Sequence, residues 1–129
     1  MPIDRFILDS SIWIELERGN EKIIEFCRPL FATGRVDIVD LIVAEVLRGT
    51  KTKKSYQTLE SHFQNFRILS TDWISVAGLA FQVARRGFYP PLSDLYIARC
   101  TISERSKLVT QDNDFKQIQK VYPFDLILI

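Results

Sequence analysis

Four acidic positions stand where a chain that is building a core has least use for charge. Asp9 follows the apolar run Phe6-Ile7-Leu8, and Glu45 is the only charged residue in the run LIVAEVL. Asp94 opens the helical pattern in PPLSDLYIARC, and Asp112 with Asp114 follows Leu108-Val109-Thr110 in LVTQDNDF. A carboxylate in apolar surroundings needs a partner or a cation. If the four converge, like charges about 4 Å apart repel by roughly 4 kcal/mol at an effective dielectric of about 20, and the cluster takes up protons or a metal ion. Hard oxygen ligands without Cys or His select Mg²⁺ or Mn²⁺ over Zn²⁺, and Mg²⁺ keeps waters and substrate phosphate in its shell. The chemistry implied is metal-assisted attack on a phosphodiester, one metal readying a water and a second, where present, stabilising the leaving oxygen.

Each position also has a structural reading. Asp9 is a fit helix N-cap, a job that Ser10 or Ser11 could take instead. Glu45 and Arg48 have the i, i+3 spacing of a helical ion pair, although the flanking Leu, Ile, Val and Ala leave little polar face. An acid in the first helical turn, as at Asp94, is favoured by the helix dipole alone. Asp114, three residues before Gln117, resembles a capping box, which leaves Asp112 the freer carboxylate and Asp114 an auxiliary.

The elements that must position these acids are short apolar strands alternating with longer amphipathic helices. Strands are expected at 5–8, 36–39 (VDIV), 67–70 (RILS), 107–110 (KLVT) and 125–129 (DLILI). A helix with Ile12, Trp13 and Leu16 on one face stops at Gly19, and Asn20 caps a second that Pro29 and Gly34 end. Asp40 is read as the cap of LIVAEVLRG. The segment KTKKSYQTLESHFQNF places Tyr56, Leu59, Phe63 and Phe66 at helical spacing. Thr71 or Asp72 caps WISVAGLAFQVARRG, and a Pro-marked loop leads to the helix that holds Asp94. This alternation argues an α/β domain with a mainly parallel central sheet flanked by helices, in which the functional crevice lies outside the carboxyl ends of the strands. Asp9 and the pair near 112 both sit at such ends.

With 129 residues and 47% hydrophobic content, the chain fits a single domain, residues 1–129, able to bury a substantial core. Seventeen basic against 16 acidic side chains leave a net charge of +1, so any affinity for an anionic partner must come from local patches. No stretch reaches the roughly 18 to 20 apolar residues of a membrane span. Cys27 and Cys100 form no CxxC, and no signal peptide precedes Met1, which points to a reducing, cytoplasmic home. The isolated glycines at 19, 34, 49, 78 and 87 form no phosphate-cradling loop, which argues against an NTPase or dinucleotide binder.

The four acids, in their order and context, resemble the PIN-domain family of nucleases, and the short single-domain form is similar to its VapC-type toxins. FILDSSIW is similar to the family's opening strand and first acid, VAEVLRG to its second-acid helix, LSDLYIA to its third, and LVTQDNDF to its last acidic turn. The resemblance covers nearly the whole chain. It implies a PIN fold, Mg²⁺- or Mn²⁺-dependent endoribonuclease activity, and inhibition by an antitoxin that inserts a segment near the active site. It makes Asp9, Glu45, Asp94 and Asp112 the catalytic metal ligands, with Asp114 beside them and with Ser11 and Thr110 as supporting hydroxyls. Asp40 departs from the pattern, because the family often has a serine or threonine before the second-acid helix. A PIN nuclease of RNA processing without an antitoxin shares the same motifs.

A basic rim would help an acidic site hold RNA. The candidates are Arg48, Lys51, Lys53 and Lys54, just after the Glu45 helix, and Arg85 and Arg86 ahead of the FYPPLSD loop. The one histidine, His62, lies in a polar helix, so general-base catalysis by histidine is not expected. The helix from Trp73 is apolar over much of its circumference, with Ile74, Val76, Leu79, Phe81 and Val83, and suggests a homodimer. Two rivals remain at this stage. A receiver or phosphoaspartyl domain also places an Asp at a strand end beside Mg²⁺, yet the dehalogenase type needs a second Asp where this chain has Ser11. The other rival is a PIN-like fold serving only as an interaction module.

Overall fold

The computed structural model describes residues 3–129. The apolar run after Arg5 forms β1 (Phe6–Leu8), and Asp9 turns it at once into α1 (Ser10–Glu17). The remaining elements are α2 (Glu21–Ala32), β2 (Val36–Val39), α3 (Asp40–Arg48), α4 (Lys53–Phe63), β3 (Ile68–Leu69), α5 (Trp73–Arg85), α6 (Leu92–Glu104), β4 (Lys107–Thr110), α7 (Phe115–Val121) and β5 (Asp125–Leu128). All strand pairs are parallel, in the order β3-β2-β1-β4-β5. The expected α/β fold is therefore the observed one.

Parallel sheets need cover on both faces, and the inner strands have it: Ile7, Leu8, Ile38, Val39, Leu108 and Val109 have no exposed surface. At about 1.5–3 kcal/mol for each fully buried aliphatic side chain, these residues fix the register of the sheet. Trp13 joins α1 to α2 and α4 through edge contacts with Phe31, Phe63 and Phe66, at ring separations of 5.7, 5.1 and 5.6 Å. The order reverses at β1, which lies between β2 and β4, and the crevice outside the carboxyl ends of β1 and β4 is the switch point where such sheets bind ligands. A receiver domain has the strand order 2-1-3-4-5, which this sheet does not share.

Several local expectations change. Pro29 does not end α2, which continues to Ala32. Only the carbonyl of Glu25 loses a donor to the proline ring, and both residues lie on the exposed face, where water serves instead. Gly34 makes the real exit with φ +64°, a conformation open to glycine. Asp40 is the first residue of α3, whose N-cap is Val39 with no side-chain cap bond. Asp72, not Thr71, caps α5, its carboxylate accepting from the Ser75 N–H at 2.7 Å. Of the four apolar positions assigned to α4 and its end, Tyr56 is exposed. In α5, Val76, Leu79 and Val83 face the molecule's own core, and the outward apolar surface is Trp73, Ile74 and Phe81.

One feature of the sheet was not anticipated. Asp37, in the middle of β2, is fully buried. Arg5 reaches it at 2.8 and 2.7 Å, and Arg67 at 3.3 and 2.9 Å. Burial pushes the Asp37 carboxyl up, but the hydrogen bonds and charges of the two arginines outweigh it and hold the group below the usual carboxylate range.

Candidate active site

Asp9 is placed by the end of β1, and it serves two ends at once. Its carboxylate caps α1 by accepting from the Ile12 N–H at 3.3 Å, so the structural reading of this residue holds. The same carboxylate accepts from the Ser11 hydroxyl on one oxygen and from the Thr110 hydroxyl on the other, each at 2.5 Å. Thr110 is fully buried at the end of β4 and also accepts from the Asp112 N–H at 2.9 Å. The Gln111 N–H donates to Ser11 at 3.3 Å. Two strand ends adjacent in the sheet are thus stitched together around one carboxylate. Burial pushes the Asp9 carboxyl up, and the hydroxyls of Ser11 and Thr110 offset part of that rise.

Asp94, Asp112 and Asp114 each offer a carboxylate oxygen within 4.8 Å of the others. Asp94 comes from the first turn of α6, and the other two from the turn after β4. Here the capping-box reading of Asp114 fails. The Asp114 side chain makes no cap bond, and the Gln117 N–H goes to its backbone carbonyl at 3.2 Å. It is Asp112 that makes the local bond, accepting from the Asp114 N–H at 2.8 Å. Asp114 is the exposed and freer group, and a full member of the cluster.

Glu45 projects from the middle of α3. The ion pair with Arg48 does not form, and one Glu45 carboxylate oxygen is buried with no hydrogen-bond partner. Burial first, and the charge of Asp9 second, push its carboxyl up, with Arg48 opposing only at a distance. Asp94 rises to about 6, chiefly by burial and then by the charges of Asp112, Asp114, Asp9 and Glu45. All five acids therefore share one field. None of the ion pairs among the described residues involves any of them. An orphaned buried carboxylate oxygen and an all-oxygen donor set without His or Cys fit a hard divalent cation, Mg²⁺ or Mn²⁺.

The basic candidates Arg48, Lys51, Lys53, Lys54, Arg85 and Arg86 are all exposed. Lys51 shares a cleft of about 450 Å³ with Glu45, and Arg18, the C-cap of α1 and not among the basic candidates, lines the same cleft. Arg85 instead lies over the Phe81 ring at 5.5 Å. His62 is exposed and stands edge-on to Phe66 and Trp13, at 5.2 and 6.4 Å. No helix of the described residues is long and apolar enough to cross a membrane.

A parallel α/β domain with carboxylates gathered at its switch point defines a class, and comparison with known proteins narrows it. Residues 6–121 match the PIN domain family, and the chain belongs to that family. No curated protein matches the sequence. Among solved structures, the chain resembles VapBC2 from Rickettsia felis bound to a promoter DNA fragment, with a TM-score of 0.78 and 19% identity over 96% of this chain and 98% of that one. It resembles DNA-bound VapBC from Salmonella typhimurium with a TM-score of 0.75 and 18% identity, covering 96% and 97% of the two chains. VapBC-5 from Mycobacterium tuberculosis, a member of a toxin–antitoxin family, gives 0.67 and 19% over 98% and 100%. At these identities the likeness is one of fold.

Proposed function

We propose that this chain is a divalent-metal-dependent endoribonuclease and the toxin of a toxin–antitoxin pair. The observation that carries the nuclease reading is the gathering of three carboxylates, Asp94, Asp112 and Asp114, within 4.8 Å, in the field of Asp9 and of a Glu45 with an orphaned oxygen. Asp9, Glu45, Asp94, Asp112 and Asp114 would hold Mg²⁺ or Mn²⁺. When bound, the metal supplies an acidified water and charge for the phosphate oxygens. The reaction adds water across a phosphodiester: a new P–O bond forms, the ester P–O bond breaks, and the leaving oxygen takes a proton. The chain's own residues prepare this. Ser11 and Thr110 fix both oxygens of Asp9, so its free lone pairs point in one direction without reorganisation. Lys51, which lines the cleft beside Glu45, would neutralise substrate phosphates there.

The toxin reading draws on relatives that are toxin–antitoxin assemblies. The cleft beside Glu45, lined by Ile14, Val46 and Leu59 as well as Lys51, is the surface where an antitoxin segment would lie. The apolar surface of Trp73, Ile74 and Phe81, at 53%, 83% and 62% exposure, would be covered by a second copy of the chain.

Purified protein should cleave single-stranded RNA with added Mg²⁺ or Mn²⁺ and lose cleavage in EDTA and on Asp9→Asn. Full activity of both Asp9→Asn and Asp94→Asn would show the site assignment to be wrong. Co-expression with the neighbouring gene separates the toxin from a PIN nuclease of RNA processing: a small DNA-binding protein that co-purifies and suppresses cleavage supports the former, and its absence the latter.

A further inference from the structure

Asp40 is the acid that departs from the family pattern, and the structure gives it a specific occupation. Its Oδ1 accepts from the Tyr96 hydroxyl at 2.8 Å and from the Leu41 N–H at 2.8 Å. The Tyr96 oxygen in turn accepts from the Thr71 N–H at 3.2 Å. One hydroxyl therefore joins three segments at the carboxyl edge of the sheet: the start of α3, the connection between β3 and α5, and α6. Tyr96 is 5% exposed, and the Trp73 ring lies against it at 4.9 Å.

Two of those three segments carry acids of the site. Asp40 opens α3, which holds Glu45, and Tyr96 lies two residues beyond Asp94 on α6. At about 100° per residue the Asp94 and Tyr96 side chains leave α6 on nearly opposite sides, so α6 faces the crevice with one and grips α3 with the other. The grip matters because no side-chain cap bond holds the start of α6, whose N-cap is Pro91.

We propose that the Tyr96 hydroxyl, by its bonds to Asp40 and to the Thr71 backbone, sets the spacing of Glu45 and Asp94 and is a positioning residue for the metal they would hold. The proposal rests on the metal-site reading above. It assigns Asp40 no place among the ligands. What α3 needs at Asp40 is an acceptor oxygen, and its charge is incidental.

The test is Mn²⁺ binding to the full chain, read from the spectrum of free Mn²⁺ by electron paramagnetic resonance, with no RNA present. Tyr96→Phe keeps the ring and its packing, and it should weaken Mn²⁺ binding about tenfold, at the low end of what lost outer-shell bonds cost. Asp40→Ala should weaken binding comparably, and the double variant should be weaker than either single one by less than the sum of the two, because both remove the bond between Tyr96 and Asp40. Asp40→Asn, which keeps an acceptor oxygen and removes the charge, should bind as the wild type does. Cleavage by Tyr96→Phe should recover at saturating Mn²⁺, which a misfolded variant cannot do. Wild-type affinity in Tyr96→Phe overturns the proposal, as does an Asp40→Asn variant as weak as Asp40→Ala. A wild-type chain that binds no Mn²⁺ overturns the metal-site reading itself, an outcome distinct from a wild type that binds and a Tyr96→Phe that is unchanged.

Discussion

Asp94→Asn should make the metal-free protein more stable and the metal-loaded protein less so. Asp94 titrates near 6 in the folded chain, against an ordinary value of 3.8, because burial and then the charges of Asp112, Asp114, Asp9 and Glu45 disfavour its ionised form. A folded value above the unfolded one means that between the two the folded state binds more protons, so stability falls as pH rises through that window and is flat above it. A rise from 3.8 to about 6 is worth at most about 3 kcal/mol, and screening of a half-buried group reduces this to roughly 1–1.5 kcal/mol. Removing the charge recovers that amount at about pH 8 and only a few tenths near pH 4, where the folded carboxyl holds its proton and the unfolded one is only partly ionised. Urea unfolding in EDTA at the two pH values measures the difference. Added Mn²⁺ should then reverse the order, because a ligand bound only by the folded state stabilises by RT ln(1 + [L]/Kd), and the variant lacks one of the carboxylates proposed to hold the metal. An increment equal at both pH values, or no increment at pH 8, would refute the claim that burial and the neighbouring acids disfavour the ionised form of Asp94.

The other predictions concern neighbouring residues and more distant ones. Thr110→Val preserves shape but removes the donor to Asp9 and the acceptor for the Asp112 N–H; it should cost about 1–3 kcal/mol in urea unfolding and weaken Mn²⁺ binding, and an unchanged variant would show the stitch to be idle. Asp37→Ala should cost about 2–3 kcal/mol, near the low end for a broken buried pair because Arg5 and Arg67 can turn to water, while leaving Mn²⁺ affinity intact. The Asp37 carboxyl is held low, so its contribution is present above the usual carboxylate range and fades as pH falls below it; a difference that persists in acid would contradict the assignment. Lys51→Ala, titrated with single-stranded RNA in EDTA, should lower the salt slope of binding by about 0.7, and no change would remove it from the RNA path. Ile74→Glu with Phe81→Glu should convert a dimer to a monomer in sedimentation equilibrium, and a wild-type monomer or a dimeric variant would leave that face without a second copy.

What could be read from the chain was whatever depends on neighbours in sequence. Phe6-Ile7-Leu8 followed by Asp9, and Leu108-Val109-Thr110 followed by two acids, are strand ends with carboxylates whatever the rest of the chain does, since strand burial and cap chemistry act over a few residues. The alternation of strands and helices then dictated a parallel sheet, and the sheet dictated an edge on which those acids stand. The misreadings are local too, and each was decided by solvent or by distant partners. Pro29 was tolerated because its lost bond faces water. Asp114 was freed because Asp112 took the turn bond instead.

Tertiary structure alone decided the pairings across long sequence separations. Asp37 read as one polar letter in a β-branched strand, and only folding brings Arg5 and Arg67, 32 and 30 residues away, onto its buried carboxylate. Tyr96 lies in the helix that carries Asp94, and its hydroxyl finds Asp40 across 56 residues. Glu45 could have paired with Arg48 three residues on; the packing of α3 turned it inward and left its oxygen alone. Local propensity fixes which way a chain runs and where it turns, because those energies come from adjacent groups. Which charges end up as neighbours depends on how the helices dock on the sheet, and it is this docking that brings Asp94 of α6 within 4.8 Å of Asp112 and Asp114 and sets all three in the field of Asp9 and Glu45.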